Sequence, residues 1–136
     1  MAYVIKAEIR DPGAASFAFE AAKTMYGGKH ITTGDEIFLF ASESEGGAGL
    51  VAQGLVTAAK PVPRRPGVER QTPRMSVTVK RTALAKRSLG RSDLKPFRNW
   101  GDGQPQTELN FKFYRQATNK IGGISDGAAA FLRGFF

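Results

Sequence analysis

Apolar and polar positions alternate most cleanly in Met75-Ser-Val-Thr-Val-Lys-Arg, which sends Met75, Val77 and Val79 to one side and Ser76, Thr78 and Lys80 to the other. Successive strand side chains point to opposite faces, so the segment is a half-exposed strand. Leu109-Asn-Phe-Lys-Phe-Tyr alternates in the same way, with Leu109, Phe111 and Phe113 inward and Asn110, Lys112 and Tyr114 outward, and it predicts another strand. Ile37-Phe-Leu-Phe-Ala41 is apolar without interruption, which suits a strand buried on both faces. Tyr3 to Arg10 has the composition of an opening strand, stopped by Asp11-Pro12-Gly13. From Ala14 to Met25 the residues Phe17, Ala21, Ala22 and Met25 recur at helical spacing, so a short helix is expected there, ended by Gly27-Gly28.

Thr33-Gly-Asp-Glu makes a turn into the apolar strand, Ser42 to Gly49 is a flexible loop, and Leu50 to Ala58 returns as the second arm of a hairpin with Gly54 at a bulge. Four prolines between residues 60 and 74 mark a long surface connection. Ile121–Ile124 is a last short strand, after which Ser125 caps a helix carrying Ala128, Ala129, Phe131 and Leu132. Five or six short strands, two or three small helices and no regular strand-helix alternation predict an α+β fold. The architecture expected is a mixed, mainly antiparallel β-barrel with peripheral helices, formed by residues 1–136 as a single domain.

Charge adds what periodicity does not show. The chain carries a net +8, but residues 60–98 alone hold 12 bases against two acids, a net +10, while the remaining 8 bases and 10 acids leave −2 elsewhere. A field so concentrated draws polyanions, and nucleic acid, DNA or RNA, is the expected partner. Arg64, Arg65, Arg70, Arg87, Arg91, Lys95 and Arg98 are the candidate contacts to its phosphate backbone. No basic amphipathic helix accompanies the charge and no run of about 18 apolar residues occurs, so no membrane partner is expected. The chain lacks cysteine, which excludes disulfides, thiolate metal sites and a cysteine nucleophile. With no export signal of the usual pattern at the N-terminus, a cytoplasmic location is expected.

His30 is the single histidine, so neither a multi-histidine metal site nor a histidine pair for acid–base work can be assembled. Gly28-Lys29-His30 lacks the hydroxyl residue a phosphate loop needs after its lysine, and Gly46-Gly47-Ala-Gly49 leads into a strand instead of opening a helix. Glu43 and Glu45 read as solvated loop carboxylates. These residues predict no enzyme, no metal and no cofactor. What remains is binding chemistry: Trp100, read either as a ligand platform or as a half-buried core residue, and the cluster Tyr114-Arg115-Gln116 with Asn119-Lys120. Aromatic faces stack on unpaired bases, and Arg, Gln and Asn read base edges.

Three segments together resemble the EVE family of the PUA-like superfamily, whose relatives include YTH domains. They are Tyr3-Val-Ile-Lys-Ala-Glu; Thr33-Gly-Asp-Glu-Ile-Phe-Leu-Phe-Ala-Ser42 followed by Gly49-Leu-Val-Ala-Gln-Gly-Leu-Val56; and Met75-Ser-Val-Thr-Val-Lys-Arg with Leu89 and Leu94-Lys95. Asn119-Lys-Ile-Gly-Gly-Ile-Ser125 occupies the place of the family's closing strand. The resemblance implies a PUA-like barrel without catalytic machinery and a pocket for a modified base. It puts Phe40 and Ser42 at the pocket end of the second strand and Lys120 at a basic position of the closing one. The Trp-containing segment that the family carries after its first strand is absent, and Trp100 is our own substitute for that wall.

Two other readings stand beside this one. Scattered acids holding Mg²⁺ would make a small nuclease or nucleotide hydrolase. Phe131, Phe135 and Phe136 would offer an apolar contact for a protein–protein adaptor or a homodimer.

Overall fold

The computed structural model describes residues 1–63, 66–67, 72–115 and 118–136. Its strands are β1 (Ala2–Ala7), β2 (Ser16–Met25), β3 (Glu36–Ala41), β4 (Gly49–Pro61), β5 (Arg74–Leu84) and β6 (Lys120–Ile124). They close into a barrel in the order β1-β3-β4-β5-β2-β6, so no strand edge is left open. The β1–β3 and β2–β6 pairs are parallel and the other four antiparallel, the mixed, mainly antiparallel barrel that the sequence predicts.

The uninterrupted run in β3 is buried on both faces because it separates two cores. Ile37 and Leu39 point into the barrel with Tyr3, Ile5, Val56, Val77, Val79 and Ile121. Phe38 and Phe40 point outward, under a layer of three short helices: α1 (Arg91–Leu94), α2 (Pro105–Leu109) and α3 (Asp126–Arg133). Leu94, Leu109, Ala128, Ala129 and Leu132 supply the apolar face of that layer. Ser125 caps α3 as expected, its hydroxyl accepting the N–H of Ala128 at 3.1 Å. The C-terminal phenylalanines are used inside the chain. Phe136 packs on Phe38, with ring centroids 6.0 Å apart, and Phe131 meets Phe135 edge-on at 5.3 Å. Phe135 is buried in this contact, while Phe131 and Phe136 remain half-buried.

Two elements differ from expectation. Residues 16–25 form β2, not a helix. Phe17 and Phe19 pair with Val79 and Val77, the register then shifts, and Ala22 pairs with Met75. Ala21 takes up the shift with φ 49°, its N–H donating to Ser76 Oγ at 3.0 Å and its carbonyl accepting from Arg74 at 2.8 Å. A bulge inserts one residue into a period of two, and that imitated a helical spacing. The second difference is at 109–114. Pro105 opens α2, and Asn110–Tyr114 continues it as a π turn, closed by the bond from Arg115 N–H to Asn110 O at 3.1 Å. In this geometry Leu109 and Tyr114, five residues apart, pack in the same core, whereas a strand would oppose them. The side chain of Phe113 is outside those described.

Gly49 fixes where α1 starts. It has φ +85°, and a Cβ there would overlap the Leu89 carbonyl oxygen, which accepts the Leu50 N–H at 2.9 Å. Gly49→Ala should therefore cost about 2–4 kcal/mol, from left-handed strain together with a backbone clash. Urea denaturation should show a lowered midpoint at an unchanged slope. A midpoint equal to that of the unsubstituted chain would refute the close approach.

Candidate nucleic-acid interface

Helix α1 is one turn long and is fixed at its N-terminal end. Asp93 accepts the Gly90 N–H at 2.8 Å, and Glu43 accepts the Arg91 N–H at 2.7 Å, while Leu94 is fully buried below. Arg91 and Lys95 are exposed, and Arg98 follows, its guanidinium donating to the Lys95 carbonyl at 3.1 Å. The π turn faces this segment. Asn110 is buried and donates to the Phe97 carbonyl at 2.9 Å, which ties the turn to the loop behind Arg98. The result is a pocket of about 280 Å³ lined by Arg91, Lys95, Arg98, Asn110, Tyr114 and Arg115.

Tyr114 is the wall of that pocket. Its ring meets Phe40 edge-on at 5.9 Å, Lys6 Nζ lies 5.4 Å from its centroid, and its hydroxyl donates to Glu43 Oε1 at 3.2 Å. Burial, followed by the neighbouring Glu43 carboxylate, holds the phenol well above the ordinary tyrosine range. Burial and the nearby Arg91 charge push the Lys6 ammonium down, against the pull of Glu43. A raised phenol pKa stabilises the fold fully below about pH 10, the unfolded value, and that stability is lost as pH rises through the folded one. Stability should accordingly fall on the alkaline side of pH 10, and Tyr114→Phe should flatten the fall. Denaturation midpoints measured across pH 9–11, a range set by the ordinary tyrosine value, test this. An unchanged alkaline limb in the variant would count against it.

A row of lysines extends the positive surface. Lys120 at the start of β6 pairs with Lys6 on β1 and with Lys23 on β2, so three ammonium-bearing residues stand side by side on the outer face. Adjacent strands are about 4.8 Å apart and like charges directly opposite weaken a sheet, a cost that Glu43 offsets at the Lys6 end. The row meets the pocket where Lys6 lies over Tyr114.

The candidates read from the sequence thus divide. Arg91, Lys95, Arg98 and Arg115 converge on one mouth. Arg87 does not join them: it donates to the Gly134 carbonyl at 2.7 Å and stacks on Phe135, pinning the C-terminal turn. Arg64, Arg65, Arg70 and Gln116 lie outside the described residues. Phe40 is fully buried and cannot touch a ligand; it supports Tyr114 from behind. Ser42 is buried as well, bonded to Ser44 Oγ at 2.9 Å and Thr118 Oγ1 at 3.2 Å, and knits the 42–46 loop to the approach to β6.

Asn119 takes φ +65° and splices two strands, donating its N–H to the Lys6 carbonyl at 2.7 Å and accepting the Lys23 N–H at 3.0 Å. Its side chain lines a different cleft, beside Glu8, Glu20 and Glu45, where a phosphate would be repelled. Trp100 is 62% exposed and lies across the π turn from the basic pocket, so it is neither a core residue nor that pocket's wall.

Sequence reasoning missed Glu43, Asn110, Lys6 and Lys23. Glu43 gives no local signal, because a carboxylate in a Gly-rich loop looks solvated until Arg91 and Tyr114 are brought to it. Asn110 was hidden by the alternation that imitated a strand.

No protein-family model and no curated protein matches the sequence. Solved structures do. The human THYN1 protein in complex with DNA containing 5-methylcytosine superposes with a TM-score of 0.66 at 16% identity, over 98% of this chain and 95% of that one. The chain shares the fold of a DUF55 domain. The DUF55 domain of human thymocyte nuclear protein 1 superposes with a TM-score of 0.66 at 15% identity, over 98% and 97% of the two chains. A Pseudomonas putida protein gives 0.64 at 17% identity over 99% of each. Among the described residues no helix is long and apolar enough to cross a membrane.

Proposed function

We propose that this chain is a non-catalytic module that binds nucleic acid and holds a modified base in the pocket beside Tyr114. The observation that carries the reading is the convergence of Arg91, Lys95, Arg98 and Arg115 around a phenol and an amide. Cations at the mouth suit phosphate oxygens, which position the strand, while the aromatic wall and Asn110 meet the base, which specifies it. Nothing in this lining is a base at neutral pH. The amide of Asn110 does not titrate, and burial and Glu43 hold the Tyr114 phenol protonated. The 5-methylcytosine DNA in complex with the structural relative supports the same class of ligand.

The deciding experiment is a binding panel of methylated and unmodified DNA and RNA oligonucleotides, measured by fluorescence anisotropy at several salt concentrations. Binding that tightens as salt is lowered, with one modified oligonucleotide preferred over its parent, is the expected result. Failure to bind any member at low salt, where electrostatic association is strongest, would sink the proposal.

A further inference from the structure

The π turn carries a second cavity on its other side. Its lining is Trp100, Gly103, Gln104, Thr107, Glu108 and Lys112, and its volume is about 250 Å³. That is below the roughly 300–1,000 Å³ of clefts that enclose whole drug-sized molecules, and it suits one planar group. The indole is the most exposed large aromatic side chain among the described residues, yet the turn that carries it is tied by hydrogen bonds. Asn99 caps its turn by accepting the Gly101 N–H at 3.3 Å. The Asp102 carboxylate fixes the exit by accepting the Gln104 N–H and the Thr107 hydroxyl, both at 2.9 Å. Phe111 supports the ring edge-on at 5.0 Å.

Electrostatics distinguish this cavity from the basic pocket. Its lining carboxylate, Glu108, is paired with Lys112 at 3.2 Å and accepts two further hydrogen bonds from Ser125, and the Asp102 carboxylate stands behind Gln104 and Thr107, so no excess positive charge faces the cavity. A cavity with an aromatic wall and no excess positive charge suits a base; it does not suit a phosphate. Arg115 joins the two sites. It lines the basic pocket while its guanidinium lies 4.7 Å from the Phe111 centroid, and Phe111 touches Trp100.

We infer that Trp100 is the platform of a second nucleobase subsite, which stacks an unpaired base neighbouring the one held beside Tyr114, with Arg115 on the phosphate between them. The inference rests on the nucleic-acid reading above and adds that the ligand must present an unpaired nucleotide there. Aromatic stacking accepts any base, so this subsite contributes affinity and a preference for unpaired strands without sequence choice.

Trp100 is the chain's single tryptophan, so its emission reports on the subsite directly. The experiment titrates the full chain with a single-stranded oligonucleotide, the same strand in a duplex, and the single strand with an abasic position beside the modified base. Anisotropy and tryptophan emission are read in parallel. The single strand should quench the emission, and the duplex and abasic ligands should not. Trp100→Ala should weaken single-strand binding about 5- to 150-fold at an unchanged salt slope, the range that stacking of one base supplies. Trp100→Phe should retain most of the affinity, which separates lost stacking from lost folding. If anisotropy shows salt-dependent binding while emission stays constant and Trp100→Ala binds like the unsubstituted chain, the subsite is overturned and the nucleic-acid reading stands. Equal quenching by the duplex also overturns it. Absence of any binding overturns both.

Discussion

Replacing Arg91, Lys95, Arg98 and Arg115 together with glutamine should flatten the salt dependence of nucleic-acid binding and weaken every sequence alike. Each phosphate contact contributes about 0.7 on a single strand and about 0.9 on a duplex to the slope of log affinity against log salt, so loss of four should make the slope shallower by about 2.8 to 3.6. Between 50 and 200 mM salt, those four contacts account for a drop of roughly 100-fold, which the variant should no longer show. Arg87 supplies the internal control. It carries the same charge and comes from the same basic stretch, but its guanidinium is engaged with Gly134 and Phe135. Arg87→Gln should leave the slope nearly unchanged and lower stability slightly. Equal effects from Arg87 and from the four converging cations would show that the positive charge acts diffusely and that the pocket is not its focus.

Phe40→Ala should be the most destabilising single change near the site, at about 3–5 kcal/mol. The ring is fully buried in the outer core and meets Tyr114 edge-on, so its removal leaves a void directly behind the pocket wall. Phe40→Leu fills most of that volume and should cost clearly less. Chemical denaturation measures both. Ligand affinity separates the two roles this residue can have. A residue that supports the wall loses stability first, and affinity only as Tyr114 loosens. A residue in contact with the ligand would lose affinity with stability unchanged, and that outcome would contradict the buried placement.

The C-terminal phenylalanines bear on the adaptor reading in the same physical terms. Phe135 is buried and Phe136 packs on Phe38, but Phe131 and Phe136 stay half-buried, so only their outer parts are left for a partner.

Much of the barrel was legible in the chain because local pattern and tertiary demand coincide there. Met75, Val77 and Val79 alternate and face the barrel interior; Ile37 to Ala41 is continuously apolar and separates two cores. Ser125 caps the helix that its hydroxyl position announces. Where an irregularity was inserted, the pattern misled. The bulge at Ala21 turned a strand period into a helical one, and the π turn at 110–114 placed Tyr114 beside Leu109 although alternation opposes them.

The sequence by itself determined that a positive field exists and that it is concentrated in one stretch. Only the tertiary structure decided which charges act together. Arg74, Arg81 and Arg87 come from that stretch, yet they reach away from the pocket, to the carbonyls of Ala21, Ala14 and Gly134. Arg91, Lys95 and Arg98 are joined instead by Arg115 from beyond it, and Lys6, Lys120 and Lys23 are aligned by strand register across more than a hundred residues of chain. Charge is a property of residue type, so it can be counted along a chain. Convergence is a matter of distance, and distances between remote residues are set by barrel closure and by the helix layer packed on β1 and β3.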